Sequence, residues 1–356
     1  MDRNQALVRY LMILGAAILT VIVVMHLKFL LVPLVFASLL FMILLPLRRF
    51  WVRFFHNRIL GVIMTMVTIS LPILIFILFF FWQTVDVMQN LSGIGEVLEK
   101  GINQIILAFG GVVNIRRFNL EVWIQDNLST IIQQPISWLA ESTEIFGSFL
   151  LTFIFLVFML LYRRGIEQGI HLMFGDRDTR WFDIIEEIKK MTERYLIGIF
   201  SVVFILAILN SVGLFIIGLD YAVFWGILAG FLALIPYLGT TLGGALPLIY
   251  SIASSGGWVQ PLLVVILFST IQFIEGNFIT PKIVGNQVSL NPLTAVIALV
   301  LGVYIWGLAG VVLAIPIAGI FRIICTHFES LQPLAFMMGT ELSATTDFRK
   351  QGTKDE

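Results

Sequence analysis

Eight stretches of the chain contain no Asp, Glu, Lys or Arg: residues 10–26, 29–47, 60–82, 145–162, 196–219, 222–253, 258–274 and 293–321. A helix rises about 1.5 Å per residue and the hydrocarbon core of a bilayer is about 30 Å thick, so about 20 apolar residues cross it. Backbone polar groups inside lipid must be satisfied within the segment itself, which makes these stretches helices. A β-barrel would show short alternating segments, and the sequence has none. The expected fold is all-α: a polytopic helical membrane protein of about eight membrane segments. The first stretch is short, but a second follows closely and no cleavage site is evident, so it reads as an anchor.

Composition narrows the class further. Charged residues make up 12% of the chain, against about 25% in soluble domains. Lys plus Arg equals Asp plus Glu at 22 each, which argues against a basic nucleic-acid binder and an acidic disordered chain. A single cysteine, Cys325, excludes an internal disulfide framework and a CxxC metal site.

Two stretches are too long for one straight crossing. Residues 222–253 are interrupted by Pro236-Tyr237-Leu238-Gly239, and 293–321 by Gly302 and by Gly307 to Gly310. Each is either one bent span or a re-entrant hairpin of two half helices, and discontinuous helices of this kind line substrate or ion sites in transporters. Basic residues set the orientation. With eight single crossings and the N-terminus inside, 17 Lys/Arg lie inside and 5 outside; with two hairpins Lys282 changes side and the split is 18 to 4. Both put the two termini in the cytoplasm.

The resulting layout has three transmembrane helices in 1–82, an extracytoplasmic amphipathic segment over 83–144 and a further span over 145–162. A cytoplasmic amphipathic helix over 163–195, a transport core over 196–321 and a cytoplasmic tail over 322–356 complete it. In 83–144 two helical runs are expected, from Ile94 to Phe109 and from Leu120 to Ile132, forming a hairpin packed on the outer membrane face, or else an oligomer contact or a cap over a cavity. In 163–195, Trp181, Ile184, Ile185, Ile188, Met191 and Tyr195 share one helical face, as in an interfacial helix. The tail after about 335 shows no period and reads as disordered.

Between 196 and 321 the charged residues are Asp220, Glu275 and Lys282. An ionisable group at membrane depth is costly and marks a functional candidate. Asp220, between two stretches, fits a loop or cap. Glu275 lies one turn after Gln272, with Asn277, Thr280 and Lys282 beyond it. Carboxylate, amide and hydroxyl together suit Na⁺ or a carried proton; pairing of Glu275 with Lys282 is the competing reading. Asn210, beside Ser211, sits in an apolar span and fits interhelical hydrogen bonding. The pairs Gly226/Gly230 and Gly239/Gly243 permit close helix approach. No HExxH, GxSxG or P-loop occurs, so no cofactor is implied beyond a coupling ion.

The C-terminal half carries Ile235-Pro236-Tyr237-Leu238-Gly239, then Pro247, then the run from Glu275 through Pro281-Lys282 to Gly285, and Leu290-Asn291-Pro292. These residues resemble the autoinducer-2 exporter family of bacterial inner-membrane proteins, and the layout is similar over nearly the whole chain. The resemblance implies a transporter without an ATPase, exporting a small polar solute or a cation, and not an enzyme. The family is named for export of a quorum-sensing signal, while other members are described as Na⁺/H⁺ antiporters. It also implies a homo-oligomer, with a pentamer as one form. The positions matching its pattern are Pro236, Gly239, Glu275, Asn277, Pro281, Gly285 and Pro292. Gly243 and Pro247 flank the first break. A passive oligomeric channel, and a scaffold binding a partner through 94–132, stand as alternatives. Partners under the first reading are the solute or cation and the lipid bilayer, with no nucleic acid.

Overall fold

The computed structural model describes residues 3–90, 142–174, 180–235, 238–254, 257–284 and 288–340. The expected helices at 94–132, and the positions Pro236 and Gly285, lie outside these. Among the described residues the architecture is helical, with one isolated bridge between Leu290 and Gly339. The helices are α1 (Arg3–His26), α2 (Lys28–Phe55), α3 (Arg58–Asn90), α4 (Ser142–Leu161), α5 (Arg163–Phe174) and α6 (Arg180–Ile217). After them come α7 (Ala222–Leu232), α8 (Leu238–Ser254), α9 (Val259–Ile274), α10 (Thr280–Ile283), α11 (Pro292–His327) and α12 (Gln332–Met338).

By length and composition alone, five helical runs suffice for a membrane crossing among the described residues: Lys28–Phe55, Arg58–Val87, Arg180–Ile217, Val259–Ile283 and Pro292–His327, the last interrupted at Gly307. A sixth is the pair Phe146–Leu161 and Arg163–Met173, bent by 72°. Their large side chains stay uncovered by protein, with Phe204 at 67% and Phe215 at 75% exposure, as expected where lipid is the solvent. The protein is a polytopic helical membrane protein.

The chain divides into two compact units. One comprises Met1–Val62, Gly147–Leu196 and Asn286–Glu356, and the other Ile63–Phe146 and Ile197–Gly285.

In the second unit the first broken stretch is a hairpin. Helix α7 has 11 residues, about 16 Å, half the hydrocarbon thickness. The chain then reverses into α8. A Cβ added at Gly243 would lie 3.1 Å from the Ala229 Cα, and one at Gly239 would collide with the Leu232 carbonyl. Further from the turn, the Trp225 and Tyr250 rings meet at 5.3 Å. Contacts that pair rising with falling residue numbers mean antiparallel helices. The other glycine pair docks the hairpin on α6: Gly226 faces Ser211 and Gly230 faces Ala207, with no room for a Cβ at either. Both small-residue pairs therefore set helix spacing. Phe76 and Phe80 of α3 stack on Phe231 and Phe224 of α7 at 4.7 and 4.6 Å.

The second broken stretch, in the first unit, also reverses. Gly302 and Gly310 would lie about 12 Å apart along one continuous helix. Instead a Cβ at Gly302 would strike the Gly310 carbonyl and approach the Ala314 Cβ to 3.2 Å. The break is Gly307, at φ 61°, ψ −135°, a conformation that suits glycine alone. Helix α11 is thus two antiparallel arms. Its start is fixed by Asn291, whose side-chain oxygen accepts from Thr294 N–H at 2.8 Å, with Pro292 in the first turn. Asn291 also donates to the carbonyl of Met337 at 2.6 Å, tying the α11 start to α12.

Three expectations change. The charged stretch 163–195 is not one interfacial helix: α5 ends at Phe174, and α6 runs unbroken from Arg180 through the following span. Its apolar face is covered by protein, with Ile184, Met191 and Tyr195 buried and Trp181 against Phe328 at 5.6 Å. Residues 83–90 are not a separate element but continue α3 to Asn90. The tail is ordered past 335, through α12 to Gly339.

Candidate functional site

Helix α9 has 16 residues, about 24 Å, which falls short of a full crossing. The crossing is completed by a π turn over Glu275–Ile279 and by α10. Glu275 therefore belongs within a 25-residue rod, Val259–Ile283, and not at the end of a span. Pro281 supplies a reason for the turn. It has no N–H to give to the carbonyl of Asn277, and its ring would collide with that carbonyl in a regular helix. Widening the turn moves the Thr280 N–H onto the Glu275 carbonyl, five residues back.

That register change builds the site. In an α-helix residues 275 and 280 would point about 140° apart. Here the Thr280 hydroxyl donates to Glu275 Oε1 at 2.6 Å, and Gln272 Nε2 donates to Oε2 at 2.7 Å. Each carboxylate oxygen thus has one neutral donor. Among the described residues no ion pair joins Glu275 to Lys282, so the pairing anticipated as the plainer reading is not formed. Lys282 is exposed. Asn277 turns away, its Nδ2 donating to the Phe273 carbonyl at 2.8 Å.

Across from the carboxylate stands Asn210 of α6. It is 4% exposed, and its Oδ1 has no hydrogen-bond partner among the described residues. The interhelical hydrogen bond expected of Asn210 is made by its neighbour, Ser211 Oγ to the Val223 carbonyl at 3.4 Å. Asn210, Gln272 and Glu275 line one cavity with Ala229, Ala233, Gly239 and Gly243 of the α7–α8 hairpin. Its room for water centres is about 20 Å³. One water needs about 10–15 Å³, whereas organic-ligand pockets run to about 300 Å³ or more. Its size matches one water or one small ion and is well below that of organic-ligand pockets. The α7 C-terminus and α8 N-terminus meet here with opposite half-charges, so the Glu275 carboxylate sets the polarity.

The other candidates fall elsewhere. Asp220 is exposed in the turn between α6 and α7, as a loop aspartate. Pro247 is fully buried inside α8, and Pro281 and Pro292 occupy first turns of helices. No group of three His, Cys, Asp or Glu side chains able to hold a metal occurs among the described residues.

Residues 7–330 match the profile of the AI-2E family transporter. The chain belongs to that family. Three relatives, each described as a candidate transport protein, show the same kinship over shorter stretches. YrrI of Bacillus subtilis is 31% identical over 134 residues, 38% of this chain and 37% of its own length. YueF of Bacillus subtilis is 24% identical over 208 residues, 56% of each chain. A protein of Borreliella burgdorferi is 27% identical over 191 residues, 51% of this chain and 52% of its own length. These matches span about half or less of the relatives' lengths.

Proposed function

We propose that this AI-2E family member is a secondary transporter exporting a small polar solute or a cation, with Glu275 as its coupling-ion site. One observation carries the reading. A carboxylate steadied by two neutral donors, with no cation paired to it among the described residues, lines a cavity of single-ion size together with an amide whose oxygen has no partner among those residues. A hard monovalent cation takes oxygen ligands of this kind, and a proton takes the carboxylate alone. The cavity's size favours the coupling ion, Na⁺ or H⁺, as its occupant over an autoinducer-2-like solute. Residues 276–284 and the α7–α8 turn then flank the ion's route.

Two re-entrant hairpins would give the 18 to 4 distribution of basic residues, and that bias supports a cytoplasmic position for both termini in a bacterial inner membrane. The test is solute and cation flux in proteoliposomes under imposed Na⁺ or pH gradients. Wild type should show gradient-driven flux that Glu275→Gln loses. Unsaturable flux, indifferent to gradients in both proteins, would instead make the protein a passive pore.

A further inference from the structure

A second polar cavity lies within the first unit, where α2 ends, α3 begins and α5 begins. It is lined by Arg48, Val52, Arg58, Arg163, Arg164 and Glu167. Its room for water centres is about 210 Å³, ten times that of the Glu275 cavity. Four guanidinium groups share it with one carboxylate. That carboxylate is already engaged, since Glu167 Oε1 lies 2.7 Å from Arg163. Arg48, Arg58 and Arg164 are left facing one space without a counter-charge among the described lining residues.

Arg48 sharpens the point. It is 8% exposed, and its buried Nε–H has no partner among the described residues. A buried cation with an unused donor is expensive unless an anion completes it. Nor do the helix starts supply one. Neither α3 nor α5 has an acidic residue in its first turn; each places arginine where the backbone already presents positive charge.

We infer that this cavity binds a phosphate-bearing anion, and that the headgroup of an anionic phospholipid is its occupant. Guanidinium forks match phosphate oxygens two at a time. The cavity lies where apolar stretches give way to charge on the basic side of the chain, which is headgroup level. Such a lipid would neutralise the arginines and hold the α2–α3 turn against α5.

The test uses purified full-length protein in detergent, with phosphatidylglycerol, phosphatidylcholine and inorganic phosphate as probes and bound lipid counted by native mass spectrometry. Wild type should retain phosphatidylglycerol in preference to phosphatidylcholine. Replacing the exposed pair, Arg58→Gln with Arg164→Gln, should weaken that binding by at least about tenfold. Arg194→Gln, outside the cavity, should leave it unchanged. Arg48→Gln should act like the pair if the variant stays monodisperse; the exposed pair decides the matter if it does not. Displacement of the lipid by millimolar inorganic phosphate, dependent on the same arginines, would keep the phosphate chemistry and assign the site to a soluble anion. Equal phosphatidylglycerol binding in wild type and the Arg58/Arg164 variant, or no binding of either probe, would overturn the inference.

Discussion

The two broken stretches solve the same problem with different means. The α7–α8 hairpin reverses after Leu232, and its glycines carry it onto α6 and onto itself. Its turn contributes Ala233 and Gly239 to a polar cavity. The α11 reversal turns on Gly307 and packs Gly302 against the Gly310 carbonyl and the Ala314 Cβ. Close glycine packing therefore makes a hairpin in either case. At the first one, polar side chains from neighbouring helices, Asn210 and Glu275, converge on the turn.

The comparison can be broken outright by sidedness. If both stretches reverse, a Lys282→Cys variant reacts with impermeant thiol reagents from the side of the termini; the buried Cys325 gives little background. Reaction from the opposite side would mean that at least one stretch crosses once.

Packing gives the next largest effect. Gly239→Val and Gly302→Val each drive a side chain into backbone carbonyls and should destabilise by about 3 kcal/mol, the upper end for overpacking. Loss of melting temperature in both would show that the two turns are equally tight. A tolerated Gly302→Val would mean that the arms of α11 are not in contact.

Gly307→Ala isolates backbone strain, since nothing lies within 4 Å of an added Cβ. It should cost about 1–2 kcal/mol through the positive φ alone. Asn210→Leu gives the smallest and most diagnostic change. Removing a buried amide whose oxygen has no partner among the described residues should leave the protein as stable or about 1 kcal/mol more stable, while weakening ion-dependent transport. Reduced stability with unchanged transport would return Asn210 to a purely structural role.

Much of this was readable in the residues. Charge-free runs located the crossings, Pro236 to Gly239 marked one break, and scarcity of charge singled out Glu275. Three features were hidden for physical reasons. Thr280 reaches Glu275 because of a π register, which helical spacing places on another face. The Asn210 Oδ1 has no partner among the described residues while Ser211 makes the interhelical bond, and adjacent polar residues look alike in sequence. The apolar face of Trp181 to Tyr195 has the same period whether lipid or protein covers it; burial of Ile184 and Met191 decides for protein.

The central claim is that the Glu275 cavity binds the coupling ion, and charge displacement on a solid-supported membrane tests it without knowledge of the solute. Rapid Na⁺ and pH jumps should evoke a saturable transient current in wild-type protein for one of the two ions, and Glu275→Gln should abolish it while remaining folded. An undiminished transient in Glu275→Gln would contradict the account.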